Sequence, residues 1–219
     1  MAFARLDKKS YYLTQKRIMK KTISFMKKTI IFMATLFSLS SLKAQTAHFG
    51  IKGGLNASSV NSSPENSDRQ TKIGFNLGLL AHIHTSSNQW AIQPEIYYSA
   101  EGSKYKSSNA SLNLGYLNIP VLAQYMFDNG FRIEAGPQLG FLMGAKSKSG
   151  DVSVNVKDNF KSTNFSIPVG VGYLTSSGLG FDARYNFGIS NINNTSSATK
   201  IHSNVFQFGL FYQFSHSKH

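Results

Sequence analysis

From Val205 to Phe214 the chain alternates with a period of two. Phe206, Phe208, Leu210, Tyr212 and Phe214 fall on one face, while Val205, Gln207, Gly209 and Gln213 fall on the other. Successive side chains of a strand point to opposite faces, so one side of this stripe is aromatic and the other small or polar. That distribution suits a strand set between lipid and a polar interior. After Ala44 no segment shows helical periodicity, and alternation recurs roughly every twenty residues. Strands are expected near 47–57, 71–85, 90–103, 111–127, 131–146, 164–175, 178–190 and 204–214. All are longer than the usual ~5–6 residues and match a tilted membrane crossing of ~9–11 residues with overhang.

The connections alternate too. Those after the second, fourth and sixth expected strands are tight, at Ser86-Ser87-Asn88, Asp128-Asn129-Gly130 and Ser176-Ser177-Gly178, residues that hairpin turns favour. Those after the first, third, fifth and seventh are long and polar, around 58–70, 104–110, 147–163 and 191–203. Short and long connections in strict alternation predict an all-β fold, an eight-stranded antiparallel up-and-down transmembrane β-barrel. Short turns and both termini would lie in the periplasm, with the long loops outside.

Lipid-facing positions should lack charge, because a charge at mid-depth costs ~2–4 kcal/mol. The fifth strand sets Phe131, Ile133, Ala135, Leu139, Phe141 and Met143 against Arg132, Glu134, Gly136, Gln138 and Gly140. The seventh sets Leu179, Phe181, Ala183, Tyr185, Phe187 and Ile189 against Gly180, Asp182, Arg184, Asn186 and Gly188. The second sets Ile73, Phe75, Leu77, Leu79, Ala81 and Ile83 against Gly74, Asn76, Gly78, His82 and His84. No apolar face carries a charge. Pro94, Pro120, Pro137 and Pro168 fall inside expected strands, where each lacks a ladder donor. Bulges are therefore expected at some of them, and the pattern breaks parity between Tyr116 and Leu117.

The formal charge of +13 belongs mainly to the start of the chain. Residues 1–45 hold ten Lys or Arg against Asp7, and residues 46–219 hold thirteen against nine acids. A mildly basic remainder without a clustered run excludes a nucleic-acid footprint. There is no cysteine, hence no thiolate metal site or thiol catalysis. Met26-Lys27-Lys28, the apolar run 29–37 and the small-residue ending at Ala44 predict a cleavable signal peptide over 26–44. Residues 1–25 read as an over-extended gene start and 45–219 as the barrel domain.

Several motifs resemble the PorT-like outer-membrane β-barrel family of Bacteroidetes. They are Phe49-Gly50-Ile51-Lys52-Gly53-Gly54-Leu55-Asn56, Ile92-Gln93-Pro94-Glu95-Ile96-Tyr97-Tyr98-Ser99 and Tyr116-Leu117-Asn118-Ile119-Pro120, followed by Glu134-Ala135-Gly136-Pro137 and Asp182-Ala183-Arg184-Tyr185-Asn186-Phe187-Gly188. The resemblance spans almost the whole mature chain. It implies the barrel fold with its in-strand prolines and an association with secretion or gliding machinery, a role that fold alone does not transfer. In this chain Ser215–His219 follow the terminal aromatic on which many such barrels end.

Lys52, Glu95, Arg132, Glu134, Asp182 and Arg184 share inward parity in the periplasmic half. An eight-stranded barrel is just wide enough for side chains to fill, so these three cations and three anions are expected to form a salt-bridge plug. A gated proton or ion path is the functional alternative. His48, His82 and His84 share the periplasmic rim, but no acid or cysteine completes a metal set, and neither metal nor cofactor is expected. Gly136, Gly140 and Gly144 read as small lumen residues beside crowded neighbours. Enzyme signatures are absent, and no catalytic residue is assigned. The stripe Phe206, Phe208, Leu210, Tyr212 and Phe214 resembles the terminal signal read by outer-membrane assembly machinery. Between Lys146 and Lys161, Lys146, Lys148, Lys157 and Lys161 outnumber Asp151 and Asp158. They offer a basic surface for lipopolysaccharide phosphates above membrane lipid, or else a solvated hairpin extension. The sequence thus predicts a non-enzymatic integral outer-membrane protein with a filled lumen and a structural or surface-interaction role. The alternatives are a small-solute or ion channel, or an accessory of a secretion or gliding apparatus.

Overall fold

The computed structural model describes residues 47–63, 69–87, 89–106, 110–195 and 200–214. The expected leader and gene start lie outside them. Ten strands are joined antiparallel: β1 (Ala47–Ser63), β2 (Arg69–His84), β3 (Trp90–Tyr105), β4 (Ala110–Met126), β5 (Phe131–Ala135), β6 (Gln138–Ser149), β7 (Val152–Asn155), β8 (Thr163–Leu174), β9 (Leu179–Gly188) and β10 (Lys200–Gln213). β5 and β6 are two halves of one stave, both pairing with β4 and with β8, and the register is the same on either side of the break between them. β7 pairs with β6 alone, as an outlying hairpin. β10 zips onto β1 from Gly50↔Gln213 to Ser63↔Lys200, which closes a ring of eight staves and removes both sheet edges.

This barrel has its apolar side outward. Leu77 is 65% exposed and Phe208 60%, whereas Arg184 is 2% exposed and Lys52 3%. The outward faces from Ile83 to Ile73, Phe131 to Met143 and Leu179 to Ile189 carry no charge. At the short-turn end Trp90, Tyr125, Phe127 and Phe131 form a chain of ring contacts, with centroids 5.1, 5.1 and 5.6 Å apart. Tyr212 and Phe214 stack at the same end of β10. Amphipathic rings collect where hydrocarbon meets headgroups, so this belt marks one membrane surface.

The strands outrun the expectation at the long-loop end. β1 continues to Ser63 and β10 begins at Lys200 rather than near 204. These added rungs are rich in Ser and Asn and lack the apolar-polar alternation that betrays a strand in lipid. Bulges at the prolines are not found. Pro94, Pro120 and Pro168 sit opposite Val121, Gln138 and Asn186 without any register shift, and Gly136-Pro137 only separates β5 from β6. A missing proline donor removes one ladder bond, of order 1 kcal/mol, and leaves the neighbouring rungs intact. The shifts lie instead between Thr71 and Asn76 on β2 and opposite Gly115 and Tyr116, where Met143 is the extra residue. The parity break expected at Tyr116/Leu117 is therefore corrected: β4 keeps Leu112, Leu114, Tyr116, Asn118, Pro120, Leu122 and Gln124 buried on a single face. The pattern misled because the outer part of the lumen is itself apolar, so an apolar side chain there does not mean lipid.

Candidate functional site

The inward residues of β3 climb the lumen from the short-turn end: Gln93, Glu95, Tyr97, Ser99, Glu101 and Ser103, all buried. Each marks a layer. At the bottom His82 Nδ1 lies 3.3 Å from Gln93 Oε1, and its ring meets His84 edge-on at 4.7 Å. His48 and His84 are 5.8 Å apart. Among the described residues no group of three or more His, Asp or Glu side chains has metal-holding geometry.

Above them lies the charge cluster. Arg184 donates from Nη1 and Nη2 to the two oxygens of Glu95 at 2.7 and 2.8 Å, and from Nε to Glu134. Lys52 reaches Glu95 at 3.1 Å and Asp182 at 3.8 Å, and Arg184 Nε lies 3.9 Å from Asp182. Gln93 donates to Glu95 and Gln124 to Glu134, which occupies further lone pairs. The alternating strand sets these side chains inward, and glycines on the adjoining staves make room. A Cβ at Gly170 would meet Arg184 Cγ at 2.7 Å, and one at Gly209 would meet Asp182 Oδ1 at 2.9 Å. The geometry joins five of the six inward charges by ion pairs. Arg132 stands apart, its guanidinium 5.5 Å from the Phe211 ring centroid, with Nε and Nη1 lacking hydrogen-bond partners.

The next layer is neutral. Tyr97 donates to Gln138 at 2.7 Å, Gln138 to Ser166, and Gln207 and Asn76 to Asn56 Oδ1. Asn56 in turn donates to Ser99. Glu101 then accepts from Ser99, Ser203 and Asn118 at 2.9, 2.9 and 3.4 Å and has no cation within ion-pair distance among the described residues. This fourth buried carboxylate was not singled out in the sequence, although it lies just two places beyond Ser99 on the inward face. Topmost is an apolar layer of Val60, Leu112, Leu114, Tyr116, Leu142, Ala145 and Ile192. Gly140 is crowded, with Asn118 Oδ1 at 2.5 Å from an added Cβ, but Gly144 has nothing within 4 Å, which corrects the expectation for that residue.

The long connections are not merely solvated tails. Val156, Phe160 and Ile201 pack onto the apolar layer. Two loops cross-link above it: Phe160 bridges to Asn193, Lys161 N donates to Ile192 O, and Asn194 N donates to Asn159 O. Asn191 Oδ1 accepts from the backbone of both Asn193 and Ile201. The sequence signal was the presence of isolated apolar residues within polar runs. The stripe Phe206, Phe208, Leu210, Tyr212 and Phe214 has outward parity on β10 and its continuation, with Leu210 and Tyr212 opposite Gly53 and Ile51 of β1.

A closed ring, an apolar outer band, an aromatic belt and a polar interior define an integral β-barrel membrane protein. The family model for the outer membrane protein beta-barrel domain matches residues 43–194, and the chain belongs to that family. Its location is the outer membrane. Among solved structures it is similar to Neisserial surface protein A, with 16% identity, 77% of this chain and 99% of that chain covered, and a TM-score of 0.53. Ail, the attachment invasion locus protein of Yersinia pestis, matches at 16% identity with the same coverage and a TM-score of 0.48. OprG from Pseudomonas aeruginosa matches at 14% identity over 78% of this chain and 97% of that chain, with a TM-score of 0.40. The likeness to Neisserial surface protein A supports the fold. The comparison with curated proteins yields no match.

Proposed function

We infer that this is a non-enzymatic, non-conducting barrel whose lumen is a structural plug and whose working surface is its outer end. The observation that carries this reading is the stacking of an apolar layer, Val60 to Ile192, over the paired charges. An ion crossing that layer would give up its water for no compensating ligand, at several kcal/mol. Conductance across planar bilayers is the test. Purified protein should give no channel steps, and steady steps of porin size would overturn the reading and favour the small-solute channel.

The finer assignments rest on sequence. The five motifs from Phe49 to Gly188 favour the PorT-like branch, and co-purification with secretion or gliding components from native membranes tests that role. The leader 26–44 favours export by a cleaved signal, which N-terminal mass spectrometry would locate at Gln45. The exposed Lys146, Lys148, Lys157 and Lys161 favour contact with lipopolysaccharide phosphates beside the β6–β7 hairpin. The aromatic stripe of β10 favours recognition by assembly machinery.

A further inference from the structure

The outer mouth holds a cavity of about 300 Å³. That is at the lower end of the ~300–1,000 Å³ typical of small-molecule pockets. Half of its lining side chains, Tyr105, Leu112, Val156, Phe160 and Ile201, are apolar or aromatic and continue into the layer that closes the lumen, and polar side chains supply the rest. Among the described residues Arg69 is the one charged residue lining it, and no carboxylate does. Arg69 opposes Tyr105 in the β2–β3 ladder, lies 5.9 Å from that ring's centroid, and donates from Nη1 to Val60 O at 2.8 Å. No described carboxylate forms an ion pair with it.

The guanidinium is thus held in place by Val60 and Tyr105, neither of which carries an opposite charge, beside a half-apolar hollow. The hollow is also braced. The Phe160–Asn193 bridge and the Asn194–Asn159 bond tie its two loop walls together. A braced pocket does not have to order its loops when a ligand arrives, which is the main entropic cost of binding at loops. A body without charge fits the walls, and an anionic head fits the arginine fork.

We propose that this cavity binds a small carboxylate with an apolar body, the carboxylate pairing with Arg69 and the body resting on Leu112, Phe160 and Ile201. The site opens outward from the plugged lumen, so it captures ligand at the cell surface without transport through the barrel. This goes beyond the structural reading above and does not depend on whether the lumen conducts.

The test uses the full mature chain in lipid nanodiscs, with 2-naphthoate as the probe, its uncharged analogue 2-naphthamide, and acetate. Equilibrium dialysis against empty nanodiscs reads binding. The expected result is one saturable site for 2-naphthoate, naphthamide about tenfold weaker or more, and no acetate binding. Arg69→Gln should weaken naphthoate by a similar factor and leave naphthamide unchanged. Thr195→Trp, at an exposed residue lining the cavity, should fill it and abolish both. If Arg69→Gln does not fold, as read by heat-modifiable mobility, the naphthoate-to-naphthamide ratio and Thr195→Trp decide. Binding no greater than to empty nanodiscs overturns the proposal. So does equal affinity for acid and amide, or binding that survives Thr195→Trp.

Discussion

Replacing Arg184 with methionine keeps an unbranched stem that reaches about as far as Nε and deletes the guanidinium, the hub of the charge cluster. Three charge-assisted hydrogen bonds disappear, two to Glu95 and one to Glu134. At ~1.5–3 kcal/mol each the gross loss would be roughly 4–9 kcal/mol. Part of it is recovered, because Glu95 keeps Lys52 and Gln93, and Glu134 keeps Gln124. What remains is a buried excess negative charge, and breaking a buried pair in this way costs ~3–5 kcal/mol. That corresponds to roughly a hundred- to several-thousand-fold in the unfolding equilibrium. The assay is urea unfolding of the barrel in lipid vesicles, followed by the fluorescence of Trp90, the single tryptophan. Arg184→Met/Glu134→Gln restores the balance of charge and should be more stable than Arg184→Met alone. A single variant within ~0.5 kcal/mol of wild type, the range of an ordinary surface change, would refute the buried-plug reasoning. A double variant that shows no recovery would do the same. Arg132→Met should cost less than Arg184→Met, since Arg132 rests on Phe211 and makes no ion pair among the described residues.

Two strand glycines should respond oppositely to alanine. An added Cβ at Gly54 runs into the Phe208 carbonyl at the β1–β10 seam, so Gly54→Ala should lower the yield of heat-modifiable barrel, whereas Gly144→Ala meets open space and should stay within ~0.5 kcal/mol of wild type. Deleting 215–219, which lie outside the described residues, should be harmless. Deleting 212–219 removes the Tyr212 and Gln213 rungs opposite Ile51 and Gly50, together with the bond from Phe214 N to Phe49 O. Unpaired backbone groups would then face lipid, at several kcal/mol each, and gel mobility of outer-membrane fractions should show loss of folded protein. Normal abundance of the longer deletion would contradict the seam.

Alternation along the strands, with short and long connections between them, carried the fold, because in lipid the two faces of each strand have opposite solvents and every second residue must declare its side. The eight staves and the inward Lys52, Glu95, Glu134, Asp182 and Arg184 follow from that constraint, and the turn residues mark the short connections. It fails where the solvents stop differing. At the far ends of β1 and β10 the Ser- and Asn-rich rungs carry no apolar stripe toward lipid, so their true length was not legible. At the outer end of the lumen Leu112, Leu114 and Tyr116 face inward although they are apolar, because Ile192, Val156 and Phe160 fold back from distant loops to cover them. Which charges pair was equally invisible. Parity places Arg132 and Arg184 on the same side of the wall, but only the curvature of the closed ring sets one against Glu95 and Glu134 and the other against Phe211. The sequence by itself determined the membrane, the barrel and the sidedness of the strands where one face meets lipid and the other a polar lumen, since those are local consequences of solvent. The tertiary structure alone decided the plug's pairing, the apolar seal and the cavity beside Arg69, since each is built from residues that meet only when the ring closes.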